Sequence, residues 1–204
     1  MKQLLLALGL FGLTCAPAPA ASLAKTYAYF SIGGSTLEEI EKELTARGPQ
    51  VKSTGHRHPG ATRMEFTSRV GYAEKNGRCS VVSARVTVQV KIILPRWRQR
   101  GHVAQDVRLI WDTLESDIRR HEESHVVIAK NHARELEDAL KAIGRQKDCA
   151  TAKTRVKATT DRVLAAHDAA QERFDRIEGI NFESRLLRLL KYRMERIESG
   201  RLPG

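Results

Sequence analysis

From Val103 to Ile143 the chain carries neither Gly nor Pro, and its apolar residues recur at helical spacing. Val107, Ile110, Trp111, Leu114, Ile118, Ile128 and Leu136 share one stripe with His121, His125 and His132. That pattern predicts a helix of about 40 residues, roughly 60 Å long at 1.5 Å per residue. A bend or break near Thr113 to Ser116 is expected in a rod of that length. Asp148 reads as the N-cap of a second helix running to about Glu178, with Gly179-Ile180-Asn181 breaking it. Phe182 to Ser199 reads as a third, amphipathic helix. Leu186, Leu189, Leu190, Met194 and Ile197 form its apolar side, and Arg185, Arg188, Lys191, Arg193 and Arg196 make it basic.

The first half has a different period. Lys25 to Ile32, with Tyr27, Tyr29 and Phe30, reads as a strand ended by Gly33-Gly34. Ser35 and Glu38 match a capping box for a short helix, with Gly48 as a left-handed cap and Pro49 as a stop. Gln50 to Gly60, with His56 and His58, reads as a loop. Met64 to Tyr72 and Ala84 to Leu94 alternate apolar and polar residues, the mark of half-buried strands. Asn76-Gly77 favours a tight antiparallel hairpin between them, and Pro95 is expected to close the second strand. The expected fold is therefore α+β: an N-terminal antiparallel sheet with one short helix, then a long antiparallel helical hairpin and a C-terminal amphipathic helix. With 41% hydrophobic residues, residues 21–204 suit a single domain, the C-terminal helix forming an extension at about 182–204.

Residues 1–20 have the layout of a secretory signal peptide. Met1-Lys2 is basic, Leu4 to Leu13 is apolar, and Ala18-Pro19-Ala20 offers small residues for cleavage after Ala20. The apolar run is too short to span a bilayer, which takes about 20 residues. A periplasmic or secreted protein is expected. Cleavage removes one Lys and no acid, taking the net charge from +11 to +10, and it removes Cys15. Cys79 and Cys149 remain, and in an oxidising compartment they read as one disulfide. No nucleic-acid partner is expected after export. The basic balance suits a solvated surface or peripheral contact with an anionic envelope surface.

His121-Glu122-Glu123-Ser124-His125 is an H-E-x-x-H motif on the long helix. Residues i and i+4 lie about 40° apart around the axis and about 6 Å along it, so both imidazoles reach one zinc ion. Glu122, beside the first ligand, suits the general base of amide hydrolysis. A third ligand is not local. Position 131 is Asn where a longer zinc motif has His, and His132 is about 16 Å from His121 along a continuous helix. The second helix must supply it. A hairpin turning near Gln146 sets position 167 opposite 125 and 171 opposite 121. His167, Gln171, Asp175 and Glu178 then share an arc of about 80° facing the motif. That arc suits either a ligand set or a seam of interhelical hydrogen bonds.

Four segments carry a resemblance to a known family: Tyr29 to Leu37, Arg47-Gly48-Pro49, Leu94-Pro95-Arg96-Trp97 and His121 to His125. From about Tyr27 to Asp175 the chain resembles the bacterial family of predicted secreted zinc-dependent proteases, a domain family otherwise of unknown function. The resemblance implies zinc as cofactor and a peptide or protein substrate. The family pattern has an aromatic–Asp pair late in the second helix, which Phe174-Asp175 matches. It continues with Thr and His-Gly, where this chain has Glu178 and Ile180. Asp175 is thus the expected third ligand, with His167 as the alternative. The competing expectation is a non-catalytic periplasmic protein that keeps the fold and binds a partner or the envelope.

Overall fold

The computed structural model describes residues 21–51 and 55–202 of the 204-residue chain, so the expected signal at residues 1–20 lies outside the described residues. The elements run β1 (Ser22–Ile32), α1 (Leu37–Arg47), β2 (Ala61–Lys75), β3 (Arg78–Trp97), α2 (Gln105–Lys141), α3 (Cys149–Ile180) and α4 (Phe182–Glu198). This is the α+β arrangement expected, a sheet followed by helices. Among the described residues no helix is long and apolar enough to cross a membrane.

The sheet is mixed and not wholly antiparallel. Its order is β1-β3-β2, with β2 antiparallel and β1 parallel to β3. β1 and β2 run in opposite directions, but β3 is threaded between them and so finds β1 parallel. The β2–β3 hairpin closes on Asn76 (φ 53°) and Gly77 (φ 67°), the left-handed pair that a type I′ turn requires. Pro95 does not end β3, which continues to Trp97. β2 starts at Ala61 opposite Ile93, so Pro95 lies beyond it and owes that side no N–H donor.

β3 buries Val86, Val88, Val90, Ile92 and Leu94 under Ile118, Val126, Ala129, Ala133, Leu136 and Leu140 of α2 and Val163 of α3. Each such Val or Leu contributes about 1.5–3 kcal/mol on leaving water. The two alanines let the α2 backbone come close to the sheet. β1 begins opposite Thr87, so the Val86 N–H has no strand partner beyond that end. The buried Glu137 carboxylate accepts it at 2.9 Å. A second cluster, Ile32, Ile40, Leu44, Trp97 and Trp111, packs α1 over the end of the sheet.

The capping box sits one residue later than expected. Thr36 is the N-cap; its hydroxyl accepts from Glu39 N–H at 3.2 Å, and Glu39 reaches back to Ser35 N–H at 2.6 Å. Both Ser-x-x-Glu and Thr-x-x-Glu match the pattern. The chain uses the second because Gly34, at φ 102°, first turns it off the strand. Gly48 ends α1 with an ordinary φ of −57°, so the left-handed cap expected there does not form. Its glycine serves close approach: a Cβ there would lie 2.1 Å from the His58 carbonyl oxygen. Gly48→Ala is expected to destabilise the fold by about 1–3 kcal/mol, an overpacking cost. A thermal midpoint equal to wild type would contradict this account.

α2 has no break near Thr113 to Ser116. It runs unbroken through 37 residues. Two polar residues in and beside that stretch are buried: Thr113 donates to Leu109 O at 2.8 Å, and Asp117 accepts from Arg120 and Arg185. Arg185 is thus not part of a solvent-facing basic side of α4; it docks that helix on α2. Cys79 and Cys149 are joined in a disulfide, tying the start of β3 to the start of α3.

Candidate metal centre

The long helix presents His121 and His125 on one face, and α3 brings Asp175 against them. The His121 and His125 Nε2 atoms are 3.1 Å apart. Asp175 Oδ1 lies 3.2 Å from the first and 3.0 Å from the second. Four-coordinate zinc with bonds near 2.0–2.1 Å holds its ligand atoms about 3.3 Å apart, so the triangle has nearly the dimensions of three zinc ligands. Two imidazole nitrogens and a carboxylate oxygen are also the donor types zinc takes. No other group of three or more such side chains among the described residues converges in this way.

The hydrogen bonds around His125 fix its tautomer. Gln171 Nε2 donates to the His125 carbonyl, which can only accept, at 3.2 Å. Gln171 Oε1 therefore faces His125 Nδ1, at 2.6 Å, and accepts its hydrogen. The hydrogen bonds continue along α3. Gln171 Nε2 donates to His167 Nε2 at 2.8 Å, and His167 Nδ1 donates to Asp168 at 3.0 Å. Neutral His125 then turns a lone pair toward Asp175, itself an acceptor. A contact of 3.0 Å between two acceptors needs a cation or a proton between them.

The electrostatics agree. Burial resists charge on His125, yet the bonds to Asp175 and Gln171 outweigh it and raise its pKa. Burial likewise resists charge on Asp175, and the two imidazoles hold its carboxyl far below the usual carboxylate range. Glu122 behaves oppositely. It is 5% exposed, and burial pushes its pKa up against the opposing bond from Thr62. Thr62 Oγ1 donates to Glu122 Oε2 at 2.7 Å. A Cβ at Gly60 would meet Glu122 Oε1 at 2.7 Å, so the glycine leaves room for the carboxylate.

Sequence spacing placed the helical hairpin one turn out of register. Gln171, not His167, stands against His125, and Asp175, not Gln171, against His121. The 142–148 segment is not a symmetric turn, because Gln146 pairs with Cys79 and Cys149, three residues on, is disulfide-bonded to the same Cys79. His167 sits deeper, edge-on to Phe66, with Nε2 engaged by Gln171; it does not join the His121–His125–Asp175 group. Thr62 and Gly60 gave no signal in the sequence, since nothing local links the start of β2 to Glu122. His58 was read only as a loop residue. It lies near enough for Asp175 and His121 to act on its charge, while burial, the larger effect, lowers its pKa.

The family described as "Bacterial protein of unknown function (DUF922)" matches residues 27–183. No curated protein and no solved structure matches the chain.

Proposed function

We propose that this chain, which belongs to the DUF922 family of bacterial proteins of unknown function, is an exported zinc-dependent metallopeptidase. The observation that carries the reading is the triangle of His121, His125 and Asp175, in which hydrogen bonding aims the lone pair of His125 at a carboxylate oxygen. The resemblance of the sequence to secreted zinc-dependent proteases supports it, as does the motif's place on a helix packed against a sheet.

His121, His125 and Asp175 would hold the zinc. Zinc in such a site acidifies a water toward neutral pH and polarises a carbonyl. Glu122 supplies the proton traffic. Burial raises its pKa above the ordinary carboxylate value, the direction that favours a carboxylate both accepting and returning a proton. Thr62 holds one oxygen and Gly60 leaves space at the other, so the carboxylate stays in one orientation. In this reading Glu122 takes the proton of the attacking water and passes it to the leaving amine. With His121, His125 and Asp175 as its protein ligands, a zinc held here would be of the catalytic rather than the structural kind, which takes four.

Glu122→Gln separates this reading from a binding protein with structural zinc. The amide still accepts from Thr62 but takes no proton at neutral pH. Zinc content is expected to stay at the wild-type level while hydrolysis of casein falls by about 10³-fold. Equal casein hydrolysis by the two proteins would remove Glu122 from the chemistry.

A further inference from the structure

We propose that Glu178 is a positioning residue for His121, and that Arg185 of α4 holds Glu178 in place, so that the C-terminal helix is part of the metal site. The inference rests on the zinc reading and adds a device that sets the affinity of that site.

Three helices meet in one charge network. Asp117 of α2 is 4% exposed, and two guanidinium groups serve its carboxylate. Arg185 Nε and Nη2 donate to Oδ1 and Oδ2, each at 3.1 Å, and Arg120 Nε donates to Oδ1 at 2.9 Å. Both arginines turn their other nitrogens to Glu178 of α3. Arg120 Nη2 hydrogen-bonds Oε2; Arg185 Nη1 lies 3.3 Å from the same oxygen and donates to the Glu178 carbonyl at 3.2 Å. Glu178 Oε2 in turn lies 3.6 Å from His121 Nδ1. The two cations and two carboxylates balance, and one of those carboxylates faces the imidazole nitrogen remote from Asp175.

That placement has a direct consequence for a ligand. An imidazole binding a cation through Nε2 carries its hydrogen on Nδ1, and an anionic acceptor there orients the ring and strengthens it as a donor. His125 has a neutral acceptor in that place, the Gln171 amide oxygen, at 2.6 Å. For His121, Glu178 fills the corresponding place. Its 3.6 Å contact is longer than a hydrogen bond, and a shift of a fraction of an ångström closes it. Where Glu178 sits depends on the two arginines, and Arg185 is held there only while α4 is docked.

The test uses the full mature chain and zinc alone, with dissociation constants from chelator competition. Glu178→Gln is expected to weaken zinc about 10–100-fold, the usual effect of losing such a partner. Arg185→Met is expected to weaken it less, and the double variant no more than Glu178→Gln alone, because Arg185 acts through Glu178. Fully additive losses would mean that Arg185 merely supports the fold, and would overturn its part in the proposal. Glu178→Gln within threefold of wild type would overturn the whole of it. If wild type takes up no zinc, the metallopeptidase reading fails separately. Nitrogen NMR of His121 in the metal-free proteins then decides. Hydrogen on Nδ1 in wild type and a mixture in Glu178→Gln sustains the positioning role; identical spectra reject it.

Discussion

Protein purified with zinc present is expected to hold about one ion per chain, and His121→Ala and His125→Ala to hold none at the same free zinc. Each histidine supplies one corner of a triangle whose edges run from 3.0 to 3.2 Å. Removing one leaves two protein ligands, and an affinity loss of at least about 10³-fold is expected when a ligand, not merely its orienting partner, is deleted. Asp175→Asn is expected to weaken zinc while the helices stay packed, because the amide keeps the shape but loses the charge. Binding is also visible without any substrate. Free zinc at about 1,000 times its dissociation constant stabilises the native state by about 4 kcal/mol. For a domain of this size that raises the thermal midpoint by about 8–16 °C in wild type and leaves the histidine variants unmoved. Wild type that takes up no zinc and shows no such rise would end the metallopeptidase reading.

Local spacing revealed the H-E-x-x-H motif because i and i+4 on a helix are neighbours whatever the rest of the chain does. The arc of His167, Gln171, Asp175 and Glu178 was legible for the same reason. What each member does was not, because that depends on register. The antiparallel partner of His125 is set by the path of residues 142–148, and that path follows Gln146 to Cys79, a contact distant in sequence. A one-turn shift exchanged His167 for Gln171 as the neighbour of His125. The same limit applied to the sheet. Alternation identified each strand and Asn76-Gly77 the hairpin, but no local pattern says that β3 lies between β1 and β2. Arg185 was read only by its charge, as one of the residues that make α4 basic. It is instead half-buried, donating to the buried Asp117 of α2.

Loss of the Cys79–Cys149 bond is expected to lower the thermal midpoint sharply without altering the metal site of the folded protein. The bond closes a separation of 70 residues in the chain. A cross-link of that span removes enough unfolded-state freedom to stabilise by about 4 kcal/mol in the chain-entropy account. Cys79 is fully buried, and a Cys79→Ala/Cys149→Ala variant leaves no polar group unpaired there, so the lost cross-link is the main cost beside two missing sulfur atoms. At about 2–4 °C per kcal/mol for this size, the midpoint should fall by about 8–16 °C. The proposed zinc ligand on α3, Asp175, lies seven turns beyond the bond, about 39 Å along a helix otherwise held by Val163, Gln171 and its neighbours. Zinc affinity of the folded double variant is therefore expected within about threefold of wild type, since widely separated sites act independently. The mature, unreduced wild type should also be two hydrogens lighter than its dithiol form. Calorimetry of wild type with and without reductant, beside the double variant, checks the account. Equal midpoints in all three would show that the bond does not constrain the unfolded chain, and a zinc affinity that fell with the midpoint would show that the start of α3 governs the site after all.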